Sequence, residues 1–287
     1  MKIKIGTRKS KLAMAQTNMF IQELQIKFPE LETEIVPIVT TGDKILDKPL
    51  TQIGGKGIFV SEIEHALLSG KIDVAVHSAK DLPVYLENGL EISGVLKRGD
   101  YRDVLIMPAG QEIKNTPDFV VGTGSIRRIN NMHRLYSEVK FKNIRGNIDT
   151  RLKKLLNGEY NAIILAAAGL KRLGLFENAE YNIKAFDYNE FLPSACQGII
   201  ALESRKNDFV TPFINAINDI NTFLSFETEQ SVLRLLNADC TMPTGAYSYV
   251  ENNKISLTVS KDSERTVSGT SNIENRFELA KELVSKL

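Results

Sequence analysis

Ile72-Asp73-Val74-Ala75-Val76-His77-Ser78-Ala79-Lys80-Asp81-Leu82-Pro83 joins an apolar, β-branched run to an abruptly polar tip. The first half is long enough for one buried strand. The second half places an imidazole, a hydroxyl, an ammonium and a carboxylate ahead of a proline. Open α/β sheets bind ligands just beyond the carboxyl ends of their strands. A strand ending in His-Ser-x-Lys-Asp therefore marks a candidate site by itself. Taken alone, the tip reads first as a solvated turn before Pro83, because exposed charged turns are common.

The rest of the chain supplies the context. With 287 residues, one to three domains are expected. A 43% hydrophobic, 25% charged chain of net charge +1 is neither disordered nor globally basic. Nucleic-acid binding has no support from net charge, and no apolar stretch is long enough to span a bilayer. Met1-Lys2-Ile3-Lys4-Ile5-Gly6 alternates like a strand and lacks the apolar core of a signal peptide, so a cytoplasmic protein is expected. The two cysteines are Cys196 and Cys240; the three histidines, His65, His77 and His133, show no metal-ligand spacing with them. No metal site is expected.

Outward from the opening stretch, strand and helix alternate to about residue 205, which argues for parallel or mixed α/β sheets. Ser10 is an N-cap candidate for a helix that Pro29 closes, and Pro37 argues for an edge or bulged strand. Residues 40–57 read as a long loop. Its Gly55-Lys56 pair fails as a phosphate loop, since no Ser or Thr follows the lysine. Ser61 starts a helix ended by Gly70, with His65 on its polar side. Further strands are expected at 90–96, 104–107, 119–121, 161–168 and 199–203, and helices at 170–175, 209–218 and 221–236. The last segment reads as a small α+β domain: strands at 246–250, 254–260 and 264–268, then a helix at 273–287.

Cations gather in one region. Gly122-Thr123-Gly124-Ser125 is a strand-to-helix turn, and a helix N-terminus with exposed N–H groups favours an anion. Arg127, Arg128, Arg134, Lys140, Lys142, Arg145, Arg151, Lys153 and Lys154 follow, against only Glu138 and Asp149. Arg145-Gly146-Asn147 forms a second such turn, with Asn147 as N-cap. A solvated helix face accounts for Lys153 and Lys154 but poorly for arginines at two separate glycine turns. Arginine suits bidentate carboxylate or phosphate binding.

Taken together, these stretches resemble the porphobilinogen deaminase (hydroxymethylbilane synthase) family, in order and over nearly the whole chain. The resemblance is carried by Gly6-Thr7-Arg8-Lys9-Ser10-Lys11-Leu12-Ala13, by Gly54-Gly55-Lys56-Gly57-Ile58-Phe59 and by Val76 to Pro83. Gly122-Thr123-Gly124-Ser125-Ile126-Arg127-Arg128, Arg145-Gly146-Asn147-Ile148-Asp149-Thr150-Arg151-Leu152 and the run from Leu165 to Leu173 complete it. It implies an α/β fold: two periplasmic-binding-protein-like (type II) domains with mixed sheets around a cleft, plus a small C-terminal α+β domain with a three-stranded antiparallel sheet. The implied division is 1–97 with 194–215, then 98–193, then 216–287. The family departs from this chain before Cys240, where two glycines are usual and Ala238 and Asp239 stand here. It departs again at Cys196, where many members have glycine.

The resemblance also implies chemistry. A dipyrromethane cofactor is held through a thioether on Cys240, and four porphobilinogen molecules are condensed onto it with loss of ammonia. Hydrolysis then releases linear hydroxymethylbilane, an intermediate of porphyrin and haem biosynthesis. Asp81 is the expected catalytic residue, because a carboxylate near a pyrrole N–H can move protons and stabilise positive charge. Lys80, Asp81, Ser125, Arg127, Arg128 and Arg145 are the expected cofactor-binding residues. Arg8, Ser10, Lys56, Phe59, Ser78, Thr123, Arg145 and Arg151 are expected to bind substrate, with residues 44–59 as a lid. For His77, a structural role and a ligand contact are equally open, and Arg172 reads as a structural pairing residue. A monomer without nucleic-acid or membrane partners is expected. A non-enzymatic anion-binding protein is the alternative; it has no use for Asp81 or for a lone thiol in the third domain.

Overall fold

The computed structural model describes residues 1–40, 60–238 and 242–287. The chain divides into two compact units: Met1–Gly99 with Ile199–Phe226, and Asp100–Gly198 with Glu227–Leu287.

The first unit is built on a five-stranded mixed sheet. Its elements are β1 (Lys2–Arg8), α1 (Lys11–Lys27), β2 (Glu32–Ile38), α2 (Ser61–Leu68), β3 (Val74–Ser78), β4 (Leu90–Val95), β10 (Ile200–Arg205) and α6 (Thr211–Ile217). The strand order is β2-β1-β3-β10-β4. β1 runs parallel to β2 and β3, while β10 is antiparallel to β3 and β4. Pro37 is tolerated because β2 is an edge strand. Ser10 caps α1 as expected, accepting from the Ala13 N–H at 3.2 Å.

The period-2 alternation of β3 serves both faces of this sheet. Val74 and Val76 pack with Ile3, Ile5, Phe20, Leu24 and Ile214 on one face. Ala75 packs with Ile63, Ala66 and Leu67 of α2 on the other. A fully buried aliphatic side chain contributes about 1.5–3 kcal/mol, so β3 is fixed by both layers.

The second unit holds another five-stranded mixed sheet, ordered β7-β6-β8-β5-β9. Its strands are β5 (Asp103–Pro108), β6 (Val120–Gly122), β7 (Lys140–Lys142), β8 (Ala162–Ala166) and β9 (Tyr181–Ala185), and its helices are α3 (Ile126–Leu135), α4 (Ile148–Leu156) and α5 (Ala167–Arg172). β6 is parallel to β7 and β8, and β5 is antiparallel to β8 and β9. Val104, Ile106, Ile163 and Leu165 pack under α4 and α5, while Leu105, Met107, Ala162 and Ile164 face Met132 of α3.

α7 (Ile220–Leu235) precedes a separate antiparallel sheet of β11 (Gly245–Glu251), β12 (Lys254–Ser260) and β13 (Thr266–Asn272). α8 (Arg276–Ser285) closes the chain. The expected pair of mixed sheets and the three-stranded antiparallel sheet are thus present.

Several expected boundaries move. The strand expected at 161–168 stops at Ala166, and the helix expected at 170–175 is α5 at Ala167–Arg172. Ala167, Ala168, Gly169 and Leu170 are all buried, so the apolar run passes from strand to helix without a change of pattern. The strand expected at 264–268 begins at Thr266, because Asp262 Oδ1 accepts from the Glu264 and Arg265 N–H groups at 2.9 and 3.2 Å and holds a turn there. The helix expected from 273 begins at Arg276, after a 3₁₀ turn at Ile273–Asn275. Asn147 stands at the N-cap of α4 but makes no capping side-chain bond.

Glu64 of α2 is buried, and its Oε1 accepts from the Glu87 N–H at 3.2 Å. Burial raises its pKa above the usual carboxylate value, with the Glu203 carboxylate adding to the rise; the Glu87 N–H and His77 oppose it. A proton held more tightly in the folded state contributes stability below the unfolded pKa, and this is lost as pH rises through the folded value. Glu64→Gln keeps the acceptor and removes the buried charge. It is expected to melt higher than the parent at about pH 8, with the gap shrinking toward about pH 4. Thermal melts at both pH values check this, and a lower melting temperature at the higher pH would contradict it.

Candidate active site

In each mixed sheet, parallel strands end together, and the expected site residues of that unit lie at that edge. In the first unit, Arg8 ends β1 and Ser78 ends the parallel β3. Ser10 follows as the α1 cap. Past Ser78, residues Ala79–Asp81 form a 3₁₀ turn, in which Ala79 is buried, Lys80 half-buried and Asp81 exposed. Leu82 is already extended ahead of Pro83, so the turn does not lengthen into a helix. The carboxylate thus stands on a one-turn support rooted in a buried strand.

Two long-range contacts hold that root. Ser78 Oγ exchanges hydrogen bonds with Gln16 of α1, at 2.9 Å from Gln16 Nε2 and 3.1 Å to Gln16 Oε1. His77 Nε2 lies 2.8 Å from Glu203 Oε2 on β10, with both side chains buried. Of the two roles open for His77, the pairing matches the structural one. Neither Gln16 nor Glu203 is among the residues singled out from the sequence, since each lies far along the chain from its partner.

In the second unit, β6, β7 and β8 run parallel, and β5, antiparallel to β8, begins at their carboxyl ends. Thr123 is buried, and its Oγ1 accepts from the Ser125 N–H at 3.2 Å. Ser125 caps α3. At Gly124 a Cβ would lie 2.6 Å from Asn143 Oδ1, the end of an exposed side chain that would have to turn aside. At the second turn, Gly146 has φ +110°, a conformation that favours glycine. Arg151 Nε reaches back to donate to Gly146 O at 2.8 Å. Arg145 is half-buried and has no hydrogen-bonding or ionic partner among the described residues.

Arg127 and Arg128 are buried rather than splayed into solvent. Both meet Asp103, the first residue of β5: Arg127 Nη2 lies 2.8 Å from Oδ2, and Arg128 Nη2 lies 2.7 Å from Oδ1. Burial lowers the Arg127 pKa, with Asp103 opposing the fall. Arg172 is also desolvated, which brings its pKa down to about 10, and it donates to Gly198 O at 2.6 Å. Lys56, Phe59 and Cys240, with the expected lid at 44–59, lie outside the described residues.

Cys196 is fully buried, with φ +60°, and its N–H donates to Glu229 Oε2 at 2.5 Å. This left-handed conformation is one a glycine adopts freely. Burial of the thiol argues against it as a rival attachment point. Among the described residues no His/Cys/Asp/Glu group could hold a metal ion, and no helix is long and apolar enough to cross a membrane.

These features define a mixed α/β protein with an acid-bearing turn at one sheet edge and a cation-rich edge on the other sheet. A family model described as "Porphobilinogen deaminase, dipyromethane cofactor binding domain" matches residues 3–211. The porphobilinogen deaminase of Acetivibrio thermocellus is 45% identical over 260 residues, covering 90% of this chain and 87% of that protein. Those of Streptococcus sanguinis (44%, covering 85% and 81%) and Rickettsia bellii (45%, covering 88% and 85%) are similarly related. The chain belongs to the porphobilinogen deaminase family. Similar solved structures include the periplasmic VFT2 domain of Bordetella pertussis BvgS, at TM-score 0.45 and 15% identity, covering 80% of this chain and 92% of that chain. An ancestral cationic amino acid solute binding protein gives TM-score 0.44 and 13% identity, with coverage of 75% and 87%.

In a Cys240→Ser protein, Cys196 is the one remaining thiol of the two in the sequence. It is expected to stay unreactive toward a disulfide-exchange reagent until the protein is denatured. Absorbance of the released chromophore measures this, and rapid labelling of the native protein would contradict the burial of Cys196.

Proposed function

We propose that Asp81 is the group that manages protons and charge in the deaminative condensation of porphobilinogen, the activity of the family to which the chain belongs. Membership makes the chain a transferase of tetrapyrrole biosynthesis. The observation that carries the assignment is the exposed carboxylate on its short 3₁₀ turn, at the end of a strand buried on both faces. A carboxylate so placed can take the proton lost in each condensation and can stand against positive charge at a pyrrole N–H. Lys80 stands beside it in the same turn.

The cation-rich edge of the second unit suits the acetate and propionate groups of pyrroles. Arg145 is half-buried without a partner among the described residues, and Arg127 with Arg128 carries more charge than Asp103 neutralises. The chemistry of Ser125, Arg127, Arg128 and Arg145 fits the acidic side chains of a dipyrromethane group; Lys80 and Asp81 are assigned to the same group, with Cys240 as the attachment point. When bound, that group supplies the nucleophilic pyrrole carbon on which chain growth starts. Arg8, Ser10, Lys56, Phe59, Ser78, Thr123, Arg145 and Arg151 are assigned to substrate. Thr123 and Ser125 also act locally, ordering the turn that presents α3. The separate three-stranded sheet supports a third domain at 216–287, beside 1–97 with 194–215 and 98–193. A cytoplasmic monomer completes the reading.

Asp81→Ala is expected to keep its circular dichroism and lose turnover by about a hundredfold or more, the usual reach of a general acid–base group. Near-normal bilane formation would refute the assignment. Intact-mass analysis of the purified protein is expected to show an addition of two pyrrole units that Cys240→Ser lacks; an active protein without it, or an adduct on Cys196, would overturn the attachment site. Arg145→Gln is expected to raise KM for porphobilinogen about tenfold, as for one lost charge-assisted bond. An unchanged KM would remove Arg145 from the site.

A further inference from the structure

Asp103 lies outside the set of residues assigned to the reaction, yet both arginines of the first α3 turn close on it. It has no exposed surface. Its Oδ2 faces Arg127 Nη2 at 2.8 Å. Its Oδ1 accepts from Arg128 Nε at 3.0 Å and Nη2 at 2.7 Å. Carbonyls steady the other arms: Arg127 Nη1 donates to Leu192 O at 2.6 Å, and Arg128 Nη1 to Ile164 O at 3.0 Å. A guanidinium has five N–H donors. Among the described residues these contacts engage two on Arg127 and three on Arg128, so neither fork is exhausted.

The charge arrangement is unusual for a bond that serves stability alone. Cations in the first turn of a helix oppose its dipole. Two buried guanidinium groups share one carboxylate, which leaves the triad with net positive charge. A fold in need of an ion pair would match one charge with one.

We propose that Asp103 is a positioning residue for carboxylate recognition: it locks both arginine forks in register and leaves one net positive charge for an acidic group of a pyrrole ligand. This rests on the reading of Arg127 and Arg128 as carboxylate-binding residues. The opposing account is that Asp103 consumes both arginines and removes them from ligand binding.

The test compares Asp103→Asn, Arg127→Gln, Arg128→Gln, the double glutamine variant and the triple variant. It reads near-UV circular dichroism, the fraction carrying two added pyrrole units by intact mass, KM and kcat. Asp103→Asn is expected to fold, to lose loaded fraction and to raise KM about tenfold, with kcat per loaded molecule within about twofold, the pattern of lost binding. Adding it to the double glutamine variant is expected to change KM by less than about twofold, because it acts through the arginines. Should Asp103→Asn fail to fold, Asp103→Glu, which keeps the charge and shifts the forks, is expected to raise KM in the same direction. Wild-type KM and loading in folded Asp103 variants, while the arginine variants raise KM, would overturn the role of Asp103. So would an undiminished Asp103→Asn effect in the double glutamine background. Unchanged KM and loading in both arginine variants would overturn the carboxylate reading beneath it.

Discussion

A single buried carboxylate, Asp103, holds two guanidinium groups at the carboxyl-end edge of the second sheet. The sequence sets Arg127 and Arg128 in the first turn of α3, where the helix dipole disfavours cations, and the fold buries them. Removing one partner of a buried ion pair typically costs about 3–5 kcal/mol, since a charge is left uncompensated. Asp103 makes that burial tolerable. Its place at the start of β5, antiparallel to β8, follows from the register Asp103↔Ala166. Strand direction thus decides that a carboxylate arrives where two arginines begin their helix.

The first unit uses buried polar pairs for a different end. β3 is fixed by apolar contacts on both faces, and its last residues are fixed by His77–Glu203 and Ser78–Gln16. The turn that follows has only to carry Lys80 and Asp81 outward. A short turn on a rigid strand holds a carboxylate more narrowly than a long loop would. The chemistry assigned to Asp81 depends on that stiffness, because one group must serve both proton transfer and charge stabilisation.

Much of this was legible from the amino-acid order. Ser10 and Ser125 announce their helices by local capping chemistry, Pro37 announces an edge, and the apolar run before His77 announces a buried strand. What local pattern cannot carry was missed. β9 was not foreseen: Tyr-Asn-Ile-Lys-Ala is too polar to signal a strand without its neighbours. Arg127 and Arg128 read as anion-binding residues, but their partner Asp103 is not legible, because it lies 25 residues away from Arg128 in sequence. His77 stayed undecided because Glu203 is 126 residues distant. Each miss is a long-range pairing, and sheet topology alone brings such groups together.

The central claim is that this chain joins porphobilinogen units with loss of ammonia. The most direct measurement follows porphobilinogen and ammonia together when the purified, cofactor-loaded protein is given the substrate. The account predicts one ammonia released for each porphobilinogen consumed, with a linear tetrapyrrole accumulating. A folded, loaded protein that leaves porphobilinogen untouched would contradict it.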